Sequence, residues 1–356
     1  MPQPAQQSLG NLREALLWEP LDGGRVRCDL CAHRCVISDG RVGICRVRCN
    51  QGGKLYTMVY ELAVSGAVDP IEKKPLFHFL PGTTSFSVAT PGCNFSCKFC
   101  QNWDISQMPK EFEGRIEGTR LPPKRVVELA VSRGCRSISY TYTEPTIFFE
   151  YAYDTAREAV AVGLKNVFVT NGFMTPEMLG MMNGYLHAAN VDLKSFNDEF
   201  YRRVCGGRLQ PVLDSIALMH KMGIWVEVTT LVVPGSNDSE EELKSIAGFI
   251  AGISRDIPWH VSRFHPDYKM TDRGATPISV IRRAVEIGRE AGLKFVYAGN
   301  VPGEESESTF CPKCGTALIR RHGFWILETR YTVSADGGAY CPDCKEAIPL
   351  VLDSSA

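Results

Sequence analysis

What this 356-residue sequence lacks most plainly is net charge: 39 Lys and Arg stand against 40 Asp and Glu, a formal balance of −1. Without a basic excess there is no broad electrostatic footprint for nucleic acid or an anionic membrane, and neither is expected as a partner. No uninterrupted apolar stretch approaches the roughly 20 residues that a membrane-spanning helix needs. The opening MPQPAQQSLG has no basic n-region followed by an apolar run, so no secretory signal is legible and a cytoplasmic location is expected. Low-complexity tracts and internal repeats are also missing, apart from a strand–helix rhythm in the middle of the chain.

Cysteine is what the sequence has in abundance, 14 in all. Disulfide-dense chains are usually small and secreted, and this one shows neither property. Four sit at 28, 31, 35 and 45, with Cys49 close behind; three sit at 93, 97 and 100; four more sit at 311, 314, 341 and 344. Only Cys135 and Cys205 stand alone. Thiolates three or four residues apart converge on one centre, so tight clusters separated by cysteine-poor chain read as three metal sites in a reducing compartment.

The organisation follows from the flanking patterns. Residues 1–80 form an N-terminal cysteine-rich metal-binding segment, with a helical piece expected around Asn11–Trp18. From residue 81 to 300, β-type runs alternate with amphipathic helical stretches. The runs are Ser85–Thr90, Arg136–Thr141, Asn166–Thr170, Ala189–Leu193, Ile224–Val232, Trp259–Phe264 and Lys294–Ala298. Helices are expected near 123–133, 146–162, 175–186, 209–222, 239–252 and 277–291. Pro123 and Pro176 suit first turns, and Gly134, Gly163, Gly223 and Gly292 suit the positions just past last turns. This alternation predicts an α/β fold: a parallel (βα) barrel, incomplete, of about six βα units, although pattern alone does not separate a barrel from an open sheet. Residues 301–310 read as a polar linker, and 301–356 as a zinc-ribbon-like module with strands around Ala317–Arg321 and Phe324–Thr332.

The run TPGCNFSCKFCQNW carries Cys93, Cys97 and Cys100 directly after the first strand, on the face where loops of a parallel α/β domain gather. Three thiolates can hold three irons of a cubane and leave one metal open to a small molecule. A structural zinc or cluster completed by a distant residue is the alternative at this point. Polar elements recur where each later strand should end: Tyr142-Thr143-Glu144-Pro145, Thr170-Asn171-Gly172, Asp192-Leu193-Lys194, Pro234-Gly235, His265-Pro266 and Gly299-Asn300. Singly each is an ordinary turn or cap; as an ordered set they suit a ligand held by converging strand ends.

The segment Cys93–Cys100, with Phe99 before its last cysteine, resembles the signature of the radical S-adenosylmethionine (SAM) superfamily. TNGF at 170–173, DLK at 192–194 and VVPG at 232–235 resemble the pyruvate formate-lyase-activating enzyme group. CDLCAHRC at 28–35, GICRVR at 43–48, DPIEKKPLFHFLPG at 69–82, CQNWDISQ at 100–107, YTYTEPTIF at 140–148 and RFHPDYKM at 263–270 resemble the AmmeMemoRadiSam-system radical SAM family over nearly the whole chain. The resemblance implies an oxidoreductase whose [4Fe-4S] cluster, on Cys93, Cys97 and Cys100, chelates SAM by its amino and carboxylate groups. One electron would then break the C5′–S bond, giving a 5′-deoxyadenosyl radical that takes hydrogen from a substrate. It also implies SAM contacts by Thr143 and Glu144 near the methionine amino group, by Asp192 and Lys194 along the ribose and carboxylate, and by His265 and Phe99 near the adenine. Asn171 belongs to the same expected SAM-binding set. The sequence departs from the activating-enzyme pattern where Tyr142-Thr143 replaces Gly-Gly, and where Thr229 stands in place of a basic residue. Alternation along the strand puts Glu227 and Thr229 on one face, as SAM or substrate contacts if that face lines the lumen. Implied partners are an electron donor such as flavodoxin or ferredoxin, and a client that is either a glycine of a partner protein, Memo-like or AMMECR-like, or a small molecule.

Two flanking sites remain. Cys28, Cys31, Cys35 and Cys45 offer four thiolates, read as zinc or an auxiliary iron–sulfur cluster, with His33 unnecessary and Cys49 spare. Cys311, Cys314, Cys341 and Cys344 form paired Cys-x2-Cys knuckles, read as zinc with a single rubredoxin-like iron as the alternative. A non-catalytic multi-zinc scaffold for a macromolecular partner is the rival from another class.

Overall fold

The computed structural model describes residues 12–301 and 307–353. Its centre is an eight-stranded sheet, with β1 (Ser65–Pro70), β2 (Thr84–Ala89), β3 (Ser137–Tyr140), β4 (Lys165–Thr170), β5 (Ala188–Asp192), β6 (Trp225–Val232), β7 (Trp259–Arg263) and β8 (Val296–Gly299) side by side in chain order. β1 runs antiparallel to β2, and every later pair is parallel. Helices α1 (Pro123–Ser132), α2 (Phe149–Ala161), α3 (Pro176–Met181), α4 (Gln210–Lys221), α5 (Glu240–Ile253) and α6 (Ile278–Glu290) connect the parallel strands one by one.

Local chemistry accounts for these elements. Pro123 and Pro176 open α1 and α3, and the hydroxyls of Thr175 and Ser239 accept from the Met178 and Glu242 amides at helix starts. Gly134, Gly163, Gly223 and Gly292 follow helices α1, α2, α4 and α6 with positive φ, as the terminating turns require. In α6 the buried Ile281, Ala284, Val285, Ile287 and Gly288 share one face at helical spacing. Gly288 is needed there, because a Cβ would stand 2.8 Å from Val296 Cγ2 and 2.9 Å from the Trp259 ring. Strand β3, Ser-Ile-Ser-Tyr, is buried throughout, as expected for a parallel strand covered on both faces.

Three expectations need correction. Around Trp18 the chain is extended, with strands Arg13–Glu14 and Trp18–Leu21 where a helix was expected; Asn11 lies outside the described residues. The latter strand pairs with Arg25–Cys28, whose hydrogen bonds a helix would not use. The central sheet starts at Ser65, upstream of the expected division at residue 80, since β1 offers its edge to β2. The C-terminal segment does not stand apart either. Thr309–Phe310, within the expected linker, is already a strand paired to Ala317–His322, and residues 302–306 lie outside the described set. Cys311, Leu318, Ile319, Ala339, Cys341 and Ile348 share a buried cluster with Phe77, Phe295 and Tyr297 of the main body. Among the described residues no helix is long and apolar enough to cross a membrane.

Candidate active site

The C-terminal ends of the parallel strands surround one cavity of about 660 Å³. Its wall takes Thr141–Glu144 after β3, Thr170 and Asn171 at β4, Asp192 at β5, Thr229 and Leu231 from β6, His260 and Ser262 from β7, and Ala298–Asn300 at β8. Cys93, Cys97, Phe99 and Cys100 line the same cavity. The cysteine loop is held by backbone bonds from Ser96 N to Cys205 O (2.7 Å) and from Lys98 N to Val204 O (3.0 Å). The aromatic ring of Phe95 anchors it against Gly207, where any Cβ would overlap the ring.

All three loop thiols are costly to ionise as bare groups. Burial pushes Cys93 far up and Cys100 up, and Cys97 is raised first by its hydrogen bond with Cys205 and then by burial. A metal cation offsets that penalty, since the thiolate is the ligating form. Among the described residues, the buried Asn94 Nδ2, next to Cys93 in the loop, and the buried Thr90 Oγ1 have no partner. Both observations fit a loop that receives a cluster and its ligand.

The SAM-contact residues expected from sequence fall into three groups. Glu144 is buried and braces the site: Oε1 accepts from Thr146 N (3.0 Å), Thr146 Oγ1 (2.6 Å) and Thr170 Oγ1 (2.8 Å), and Oε2 from Asn171 N (2.8 Å). Burial raises its pKa despite these donors. Asn171 in turn donates to Asn94 Oδ1 (2.7 Å) and lies 3.8 Å from Cys93 Sγ. Asp192 and Lys194 form a 2.8 Å pair, with the ammonium 5.8 Å from the Phe99 ring centroid. Burial works against the Lys194 charge, but Asp192 and the sulfurs of Cys97 and Cys205 outweigh it and hold its pKa well up. Thr143 donates to Thr90 O and Thr229 to Asn190 Oδ1, so both hydroxyls keep acceptor capacity toward the cavity. His265 is the outlier. It is exposed and reaches the cavity only through Gln101, 3.3 Å away, which does line it.

Other placements were not legible in the sequence. Glu227, a candidate contact only if its strand face lined the lumen, is fully occupied as a floor: it accepts from Phe77 N (3.0 Å), His78 N (2.8 Å), Trp225 Nε1 (3.0 Å) and pairs with His260 Nε2 (2.7 Å). Cys205, apparently solitary, reaches Cys97 with its thiol but is wholly buried and does not line the cavity. Tyr142 stands at φ 64° and donates to Asp69 Oδ2 (2.6 Å), which also accepts from Lys74 (2.8 Å). The only local hint of Tyr142 was the loss of two glycines at a turn that still requires positive φ. CQNWDISQ and RFHPDYKM meet in space: Trp103 stacks on Tyr268 at 5.2 Å, and Lys269 N donates to Lys98 O.

The C-terminal sulfurs converge as expected. Cys311–Cys344 and Cys314–Cys341 stand 3.5 Å apart, and all four lie within 4.8 Å of one another.

Comparison with known proteins agrees with this site. A family model of the Radical SAM superfamily matches residues 87–248, which contain the cysteine loop and strands through α5. The chain is 45% identical over 342 residues to Uncharacterized protein MJ0808 of Methanocaldococcus jannaschii, covering 96% of this chain and all of that one. It is 31% identical over 159 residues to GTP 3′,8-cyclase of Geobacter sulfurreducens, covering 42% of this chain and 47% of the cyclase. Among solved structures, a domain of pyruvate-formate lyase-activating enzyme from Bacteroides vulgatus aligns at TM-score 0.41 and 19% identity over 46% of this chain and 99% of that one. Cysteine loop, strand-end cavity and family match coincide on the same residues, and the chain belongs to the radical SAM superfamily.

Proposed function

We propose that this protein is a SAM-cleaving oxidoreductase in which Cys93, Cys97 and Cys100 hold a [4Fe-4S] cluster with one iron open to SAM. When bound, a reduced cluster would pass one electron to SAM, whose C5′–S bond would break to give methionine and a 5′-deoxyadenosyl radical able to take a hydrogen atom from the substrate. The observation that carries the reading is the sharing of one cavity by three loop sulfurs and the polar strand ends, with Cys205 not among the lining residues.

The chain's own groups divide the work of binding. Thr143 and Glu144 offer acceptors toward an ammonium, and Glu144 keeps capacity at Oε2, which has one protein donor. Lys194 supplies a fixed positive charge for a carboxylate, and Asp192 acceptors for ribose hydroxyls. Phe99 gives an apolar face for a base, while Asn171 holds Asn94 and the Cys93 loop in place. The participation of every strand from β3 to β8 in the wall supports a sheet curled into a partial barrel.

We further infer that the C-terminal sulfurs hold zinc. A tetrahedron with metal–sulfur bonds of about 2.3 Å has edges near 3.8 Å, close to the spacing found. The resemblance of TNGF, DLK and VVPG to activating enzymes supports a glycine of a partner protein as substrate, and the AmmeMemoRadiSam resemblance a Memo-like or AMMECR-like one, with a small molecule as the alternative and flavodoxin or ferredoxin as electron donor. The multi-zinc scaffold is disfavoured by the family match and by a cavity that a scaffold does not need.

Anaerobic protein incubated with dithionite and SAM should release 5′-deoxyadenosine, and replacing Cys93, Cys97 and Cys100 together by Ala should abolish the release. A colourless wild-type protein that leaves SAM intact would sink the reading.

A further inference from the structure

Two ammonium groups lie near the loop sulfurs, and they are placed differently. Lys194 is paired with Asp192 at 2.8 Å and lines the cavity. Lys110 belongs to the short helix Met108–Glu111, is half-buried, and is not among the residues that line the cavity. Its Nζ donates to Phe95 O (2.7 Å) and to Ser96 Oγ (3.0 Å), on the two residues that precede Cys97. Phe95 N in turn donates to Cys93 Sγ (3.4 Å), so one residue separates the ammonium from that sulfur.

No acidic side chain takes up this charge. The adjacent Glu111 binds Lys269 and Tyr268 instead. Among the described residues Lys110 has no ion pair, and both of its side-chain hydrogen bonds end on the cysteine loop. Burial lowers its pKa, while Cys93, Cys45 and Cys97, in that order, act against burial. Burial likewise pushes the Cys93 thiol up, and Lys110 is the strongest influence against it.

A half-buried ammonium without an acid is costly unless another negative group lies beside it. The loop supplies one when its sulfurs are thiolates holding a metal. Hydrogen bonding alone does not account for the residue, because Gln107 Nε2 already donates to the same Phe95 oxygen at 3.1 Å. Lys110 adds a charge to a carbonyl that a neutral amide already braces.

Reducing a four-iron cluster by one electron makes it more negative by one charge. Net charge and hydrogen bonding around the sulfurs set how readily that happens. A fixed positive charge favours the reduced form, and it acts more strongly in partly dry surroundings than in water. Approach from outside the cavity leaves the face offered to SAM free.

We propose that Lys110 is a positioning residue for the cluster on Cys93, Cys97 and Cys100: its ammonium, seated on Phe95 and Ser96 outside the cavity, is the counter-charge that favours the reduced state. This rests on the radical SAM reading for the cluster itself, and adds a residue that tunes how easily the cluster accepts an electron.

The test is a redox titration of full-length protein, reconstituted with iron and sulfide without oxygen and followed by the paramagnetic signal of the reduced cluster. Lys110→Gln keeps a donor without the charge, Lys110→Arg keeps both, and Gln107→Leu removes the neutral brace but leaves the charge. Lys110→Gln should lower the reduction equilibrium constant about tenfold, which is about 59 mV for one electron. Lys110→Arg and Gln107→Leu should stay within about threefold of wild type. A Lys110→Gln potential equal to wild type, or an equal fall in either control, overturns the proposal. The potential is read on whatever fraction of chains holds a cluster, so partial loading leaves it measurable. If Lys110→Gln holds no iron at all, iron content decides: normal loading of Gln107→Leu upholds the counter-charge, and loss there too overturns it. A wild type that holds no iron sinks the radical SAM reading and this assignment with it. A loaded wild type with an unmoved Lys110→Gln sinks this assignment alone.

Discussion

At the C-terminal end Cys311 and Cys344 stand 3.5 Å apart, as do Cys314 and Cys341, and Cys314 is exposed. At the N-terminal end four cysteines surround a cavity beside a buried Arg48–Glu150 pair. The thiols differ accordingly. The hydroxyl of Thr316 and the local backbone lower Cys314 to about 6, whereas burial pushes Cys45 up to about 11. The attachments differ as well. The N-terminal loop rests on the Cys93–Cys100 loop through His33 and Asn94, and on the segment after β4 through an isolated bridge between Cys31 and Met174. The C-terminal module rests on the 69–82 segment, with Arg321 donating to Phe77 O, His78 bonded to Pro349 O, and Val351 N donating to His78 O. The two four-cysteine sets thus have different neighbours: one abuts the Cys93–Cys100 loop, the other the cavity's floor and far wall, where His322, Gly323 and Phe324 enter.

This contrast is open to attack in order of size. Replacing Arg48 by Met should be the most damaging single change, costing about 3–5 kcal/mol in denaturant unfolding, because Glu150 is left buried without its partner. A cost under about 1 kcal/mol would mean that the pair is not held together as described. Acid should act through two histidines that burial lowers to about 4, His187 beside β4 and His78 on the C-terminal side, each with its own share. Burial lowers His78 to about 4, with Arg321 and His260 pushing the same way against Glu227. The unfolded imidazole, at about 6.5, takes a proton that the folded one refuses, so stability is intact above that pH. His78 alone should take about 3 kcal/mol from it as pH drops from 6.5 toward 4. Thermal melts of His78→Gln should lose that share of the slope; an unchanged slope would assign acid lability elsewhere.

Phe324→Ser tests the far wall. It should leave dithionite-driven SAM cleavage unchanged and weaken only turnover coupled to substrate, read as 5′-deoxyadenosine formed with and without the candidate client. Equal losses in both assays would contradict a division between the two ends. Smallest of all should be Cys205→Ser. Because Cys205 touches Cys97 from behind the cavity, iron content and SAM cleavage should stay within about threefold of wild type. A loss beyond about tenfold would make it a fourth ligand and close the open iron.

Much of this site was legible along the chain. Cys93, Cys97 and Cys100 announce themselves by spacing, Thr143, Glu144, Asn171, Asp192 and Lys194 by recurring at strand ends, and Thr229 by standing in place of a basic residue in the family resemblance. Local signals also mark helix limits, since Pro123, Pro176 and the post-helical glycines act within one turn. Strand β1 was missed because Ser65–Pro70 contains Gly66 and Pro70 and gains its identity only from pairing with β2. The surroundings of Glu227 stayed open because alternation assigns a face without saying what fills it. Here the 69–82 segment fills it through the amides of Phe77 and His78.

The sequence by itself determined which cysteines cluster and the order of strands and helices that gathers them, because spacing and periodicity are properties of neighbouring residues. Only the tertiary structure decided that Cys205 backs Cys97 and that Arg48 meets Glu150 beside four cysteines. It also decided that the C-terminal knuckles share a core with Phe77 and Tyr297. Those relations join positions far apart in the chain, and packing alone brings them within reach.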